Sequence, residues 1–236
     1  MEVHHHSHTS RKKWTHYFWE FLMLFLAVFA GFLAENKREH IIEHQREKQY
    51  IRSLVNDIKS DIGQLEELNK EWTGSSIAAD TLLMSLKGND ILTNSGPVLP
   101  LVYQSTGFTD FVPNDGTVQQ LKNSGGFRLL RKTKVTDSIM AYQKAVDRIL
   151  IKQAGMNDAQ QSRNRVTDLF DVSDIASDNE PQHIALLSTD SKSLNSAFTY
   201  ILEWKGEFLS LNTLGKNTSD CGERLLKIIY DEYGIR

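Results

Sequence analysis

An uncharged run of fourteen residues, Phe21–Ala34 (FLMLFLAVFAGFLA), constrains this chain more than any other feature. With Trp14, Tyr17, Phe18 and Trp19 counted as an interfacial aromatic belt, it lengthens to about twenty residues, the number an α-helix needs to cross the hydrocarbon core of a bilayer. The expectation is a transmembrane helix at 14–34, preceded by a basic, histidine-rich cytoplasmic tail at 1–13 and followed by an extracytoplasmic helical domain at 35–236.

Arg11-Lys12-Lys13 before the span favours the N-terminal side inside. Lys37, Arg38, Arg46 and Lys48 come after it, so a literal count of positive charge tilts weakly the other way. A long C-terminal domain translocates largely regardless of its charge, and the opening residues resemble the n-region of a signal anchor. The domain is therefore expected outside the cytoplasm. The rival is a signal peptide cleaved after Val28-Phe29-Ala30, but no proline or polar break separates the apolar run from the helical pattern that continues out of it. Glu20 falls inside the aromatic belt and reads as a carboxylate near the headgroups, with a paired or proton-carrying intramembrane group as the functional alternative. A charge at mid-bilayer costs roughly 2.5 to 3.5 kcal/mol on insertion scales, so its place near one end matters. Ala27 and Gly31 are four apart, and Ala30 and Ala34 repeat the spacing. Glu20, Leu24, Ala27, Gly31 and Ala34 then share one face, which predicts a homodimer; the alternative is a face that meets lipid.

The chain has 236 residues, which leaves roughly 200 beyond the span, room for one helical domain but crowded for two. A formal charge of −3 with pI near 6.2 gives no basic footprint, which disfavours nucleic acid as a partner. The single cysteine, Cys221, cannot form an intramolecular disulfide.

From Ile51, apolar residues recur at Leu54/Val55, Ile58, Ile62, Leu65, Leu68 and Trp72, in steps of three and four, one face of a long amphipathic helix. Ile51, Ile58, Leu65 and Trp72 are seven apart, so a coiled-coil seam is conceivable; Asp61 interrupts its second position, and packing within the protein's own bundle is the plainer reading. Trp72-Thr73-Gly74-Ser75 is expected to break this helix, with Ser75 or Ser76 capping a shorter one that Gly88 stops. Residues 89–116 form a connector with a short helix near Pro97–Gln104, whose aromatics Tyr103, Phe108 and Phe111 plug the bundle or face solvent. Asp115 or Thr117 starts a short helix ending in a tight turn at Asn123-Ser124-Gly125-Gly126. A long helix begins at Thr136 or Asp137, residues 171–189 are a surface loop, and the C-terminal part is one helix or two joined near Gly215–Asp220. Alternating strand-like runs are scarce, so the class is all-α: one span, then a bundle-like domain of four to six helices.

The opening Glu2-Val3-His4-His5-His6, the run Phe21–Glu39, the helix start Tyr50–Ile62 and the turn Gln120–Gly126 (QLKNSGG) together resemble a family of uncharacterised bacterial membrane-anchored proteins, over nearly the whole chain. The resemblance implies one N-terminal span and a bacterial envelope location, and with that span the expected place is the inner (plasma) membrane. It implies no reaction and no catalytic residues.

Two clusters could carry chemistry. His4, His5, His6 and His8 are potential ligands for zinc, nickel or copper, yet stand in a short tail with only Glu2 beside them. His40-Ile41-Ile42-Glu43-His44 matches the H-x-x-E-H spacing in which two histidines one turn apart hold zinc and the glutamate activates water. It lies in a densely charged stretch, and nothing in the sequence identifies a third ligand. The phosphate-binding G-x-x-x-x-G-K-[ST] loop and the G-x-S-x-G elbow are both missing. The leading expectation is a non-enzymatic envelope module without a cofactor, tethered by its span and binding an envelope partner or small ligand. The alternative is a membrane-bound zinc hydrolase using His40, Glu43 and His44.

Overall fold

A computed structural model describes residues 14–87, 98–159, 164–171, 186–188 and 190–235, the side chains at 99, 157–159 and 164–165 excepted. Within these the chain is all-α. Helices run α1 Trp14–Lys87, α2 Val98–Thr106, α3 Gly116–Asn123, α4 Thr133–Ala159, α5 Asn164–Thr167 and α6 Ser191–Tyr233, with a 3-10 turn at Gly126–Leu129. The only pairing of extended backbone among the described residues is an isolated bridge, Phe170 to Leu186. The chain divides into two compact units, up to Gln49 and from Tyr50.

In the first unit, α1 carries the apolar window long enough to cross a membrane, and no part of that window is buried against protein. Phe21, Leu24, Val28 and Phe32 are all exposed.

In the second unit, the stretch of α1 after Gln49 packs with α4 and α6. The seven-residue series Ile51, Ile58, Leu65 and Trp72 is fully buried, and Leu54, Leu68, Leu82 and Leu86 extend the same stripe. The expected break at Thr73-Gly74-Ser75 does not occur. The residues that suggested it are small because they lie against neighbours: Ser75, Ser76, Ala78 and Ala79 are buried, and a Cβ on Gly74 meets Gln104 at 3.5 Å. Thr73 returns its hydroxyl to the Asn69 carbonyl at 2.7 Å, the back-bond that lets a threonine sit inside a helix.

Helix α6 runs antiparallel to this part of α1. Lys205 pairs with Asp80 at 2.6 Å, the Thr73 hydroxyl oxygen lies 3.4 Å from Asn212 Oδ1, and a Cβ on Gly222 would touch Ile58 and Ile62 at 3.1 to 3.2 Å. A Cβ on Gly215 would lie 2.6 Å from Asn69 Oδ1 and 3.1 Å from the Trp72 ring. These glycines therefore do not divide the C-terminal helix; they let it approach α1 closely, and of the two expected forms the single helix is the one observed. Asp190 caps it, accepting from the Lys192 and Ser193 amides, and Gly234 ends it in the left-handed conformation at φ 61. Hydrogen bonds from the Ser188 and Ser193 hydroxyls, then from the Ser193 and Lys192 amides, hold the Asp190 carboxyl well below the usual carboxylate range.

The connector after α2 is strapped across α1. Thr109 donates to Glu71 at 2.6 Å, the Val112 amide to Gln64 at 3.1 Å, and the Asn114 side chain to Ser60 at 3.1 Å. Phe111 is buried and Phe108 packs on Trp204 with ring centroids 5.8 Å apart, so two of the three connector aromatics do plug the bundle; Tyr103 stays exposed. Gly107 is required at the end of α2, since any Cβ there sits 2.9 Å from the Tyr103 carbonyl. After α3 the chain turns through Gly125 at φ 66, the expected tight turn. Helix α4 starts at Thr133, three residues before the expected Thr136, with Val135 already in the core. The Gly88 cap and most of the acidic segment 171–189 lie outside the described residues.

Candidate functional site

Helix α4 and helix α6 each turn one face toward the other, and near the end of α4 they part to leave a cleft of about 360 Å³. From α4 come Ile151, Lys152, Gly155 and Met156, positions that recur on one side of a helix. From α6 come Tyr200, Glu203, Trp204 and Glu207, stepping by three, one and three along another. Tyr200, Trp204 and Phe208 stack in sequence up α6, with centroids 5.8 Å apart and planes tilted by 58° and 52°. Held among Tyr200, Phe208 and Phe108, the Trp204 ring is fixed and, at 2% exposure, belongs to the core behind the cleft. Met156 is buried beside it, whereas Ile151 at the rim is 74% exposed.

Three charges border the cleft. Lys152 reaches from α4 to form an ion pair with Glu207. Glu203, one turn earlier on α6, is exposed and takes part in no ion pair among the described residues. Gly155 contributes space, since a Cβ there meets nothing within 4 Å. The cleft is thus preformed and mostly apolar, carries a few placed polar groups, and lies between bundle helices; its volume is at the lower end of the roughly 300–1,000 Å³ typical of small-molecule sites.

A second polar constellation serves the fold. Asp61, the residue that interrupts the seam, is buried at 2% exposure with both oxygens engaged. Oδ1 accepts the Asn114 amide at 2.7 Å and its side-chain Nδ2 at 2.9 Å, and Oδ2 accepts the Tyr142 hydroxyl at 2.8 Å. Burial, then the Asp61 charge, push the Tyr142 hydroxyl far above its ordinary range. This locks α1, the connector and α4 together.

The H-x-x-E-H residues occupy one exposed side of α1. His40 Nδ1 lies 3.8 Å from Glu43 Oε2, while His44 turns to a different residue, its Nδ1 3.3 Å from Glu47 Oε2. Among the described residues no group of three or more metal-capable side chains converges, here or elsewhere. His4, His5, His6 and His8 lie outside the described residues. Glu20 has His16 Nε2 at 3.8 Å, one turn away. A Cβ on Gly31 meets nothing within 4 Å. Cys221 is half-buried and free.

Periodicity places Met156 on the inner face of α4 but gives no sign of the cleft. The spacing of Tyr200, Glu203, Trp204 and Glu207 is visible in the sequence, yet only the antiparallel pairing of α4 with α6 sets that face opposite Gly155. No family model, no curated protein and no solved structure matches this chain.

Proposed function

We propose that this chain is a single-pass, membrane-anchored binding module of the bacterial cell envelope, with the unit from Tyr50 onward outside the cytoplasm and the α4/α6 cleft as its ligand site. The observation that carries this reading is the cleft itself: a preformed, mostly apolar recess with Ile151 and Gly155 at its surface, the buried Met156, Tyr200 and Trp204 behind them and charged groups at its mouth, in a unit with its own core. The exposed apolar window of α1 supports the tether. The lipid bilayer is then one partner, and a second copy meeting it through Ala27, Gly31 and Ala34 is another. Small residues on that face let two backbones approach, and Gly31 has open space around it. The H-x-x-E-H turn gains no third ligand among the described residues, so no observation favours the hydrolase over this reading.

The test is a small-molecule screen by thermal shift on the full chain in detergent. A ligand at a hundred times its Kd stabilises the folded state by about 2.7 kcal/mol, a readable rise in midpoint. Hits should disappear in Gly155→Leu, which puts a side chain into the open space beside the cleft. A screen whose hits all survive that substitution refutes the assignment.

A further inference from the structure

We propose that the outer face of the α1/α6 pair is a contact surface for a second copy of this chain, made by Ile77 and Met84 of α1, Leu202 and Leu209 of α6, and the Asp80–Lys205 ion pair between them. The inference takes from the tether reading only that copies are gathered at one bilayer; the α4/α6 cleft plays no part in it.

The packing of the two helices places these side chains. Ile77, Met84, Leu202 and Leu209 are 61%, 74%, 56% and 51% exposed. Single exposed apolar residues are ordinary, but these come as one pair on each helix, seven positions apart, so each pair forms a short ridge. The Lys205–Asp80 pair at 2.6 Å and the approach of Thr73 to Asn212 fix the antiparallel register. Three residues back from Asp80 is Ile77 and four on from Lys205 is Leu209, so these two stand at one level. Met84 and Leu202 stand at another by the same count. Helical periodicity sets all four beside the edge where Asp80 meets Lys205, on the side turned away from the core.

Symmetry then selects the occupant. In a two-fold dimer the same face serves both copies, so every group on it must find its match on that face. With the axis along the seam, α1 of one copy meets α6 of the other at unchanged level. Ile77 then faces Leu209, Met84 faces Leu202 and Asp80 faces Lys205, each of them twice. With the axis across the seam, each helix meets itself, and Asp80 is set on Asp80 and Lys205 on Lys205, which repel. One arrangement thus matches apolar to apolar and acid to base, with no group from outside this chain. Four apolar side chains per copy make a small interface, suited to chains held at high local concentration.

The experiment places the full chain in vesicles of zwitterionic lipid, with donor and acceptor dyes at the amino terminus of separate populations, and follows energy transfer as lipid is added. The parent is expected to show transfer that falls on dilution. Asp80→Lys and Lys205→Glu, each alone, should need about tenfold higher density for half-maximal transfer, because each sets like charges face to face. Donor-labelled Asp80→Lys mixed with acceptor-labelled Lys205→Glu should return to the parent's range. Neither an ion pair within one chain nor the small-residue face of the span can produce that rescue in trans. Met84→Ser, at a 74% exposed position, should weaken transfer with an unchanged melting profile. Parent transfer no greater than random proximity gives, transfer indifferent to both reversals, or a mixture no better than either variant alone overturns the inference. If either reversal lowers the melting midpoint, Met84→Ser combined with Leu209→Ser decides, and transfer equal to the parent's overturns it. Flotation of the vesicles reads the tether separately: protein left behind refutes the anchor, and the charge pattern of transfer, then measured in solution, still decides the contact.

Discussion

Removing the Asp61 carboxylate should destabilise the second unit more than almost any other single polar change. Asp61→Ala deletes three hydrogen bonds to a charged acceptor, each worth about 1.5 to 3 kcal/mol in mutational terms. Part of that is returned, because the substitution also abolishes the cost of keeping a carboxylate out of water. Asn114 is exposed, so its side chain can turn to solvent, whereas the Tyr142 hydroxyl is buried at 2% exposure and is left without an acceptor. The net expectation is about 3 kcal/mol, near the lower end for breaking a buried charged network. For a unit of this size that lowers the melting midpoint by roughly 6 to 12 °C, monitored by far-ultraviolet circular dichroism of the full chain in detergent. Tyr142→Phe alone should cost about 1 to 2 kcal/mol, and in the double variant the two losses should fall short of additivity by about 1 kcal/mol or more. Additive losses, or an Asp61→Ala midpoint within about 2 °C of the parent, would refute the claim that this carboxylate holds α1, the connector and α4 together.

Glycine substitutions should split by location: Gly215→Ala, whose Cβ falls 2.6 Å from Asn69 Oδ1, costs about 1 to 3 kcal/mol, while Gly63→Ala and Gly206→Ala, with nothing within 4 Å, each stabilise by about 0.5 to 1 kcal/mol in the same melts. Tyr142 titrates higher in the folded state than in the unfolded chain, so its contribution is fully present below about pH 10 and declines above it by up to about 1.4 kcal/mol per pH unit; Tyr142→Phe should flatten that part of the alkaline stability curve, and an unchanged slope contradicts the assignment. A reporter active only in the periplasm should function when fused after Arg236, and activity of a cytoplasm-only reporter there reverses the proposed orientation. Crosslinking in membranes should yield a dimer that Gly31→Ile abolishes; a dimer band indifferent to that change removes the Ala27, Gly31, Ala34 face as its interface.

Burial was readable from the sequence along the longest periodic stripe, though Ile77 and Leu209, which also fit an apolar helix face, are exposed. The apolar window, the Ile51 to Trp72 stripe and the turn at Gly125 rest on chemistry local to a few residues, and each is found where the spacing puts it. What misled was the double meaning of small residues. Gly74 and Ser75 look like a helix stop and are instead the flat side of a continuous helix, while Gly215 and Gly222 serve contact with α1. A single sequence cannot separate the two uses, because the difference lies in a partner element, thirty positions away for Gly74 and more than a hundred for Gly215 and Gly222. Asp61 looks like an error in an apolar seam until Asn114 and Tyr142 are seen to converge on it. The α4/α6 cleft is invisible for the same reason, since its two walls share no local signal.

The long reach from α1 to α6 also fixes an order of events during synthesis. Thr73 and Asn212 meet across 139 positions, and the glycine that lies against Trp72, Gly215, is translated just after Asn212. Chains grow at about 5 to 20 residues per second, so the Ile51 to Trp72 stripe stays bare for several seconds or more after it is made. During that interval α1 has only the connector with its short helices and α4 to pack with, and the wall that α6 supplies is missing. An apolar stripe that waits in this way is open to competitors, other nascent chains among them. The close glycine contacts of α6 are thus the final step of assembly, and defects there should show first as poor yield of folded protein.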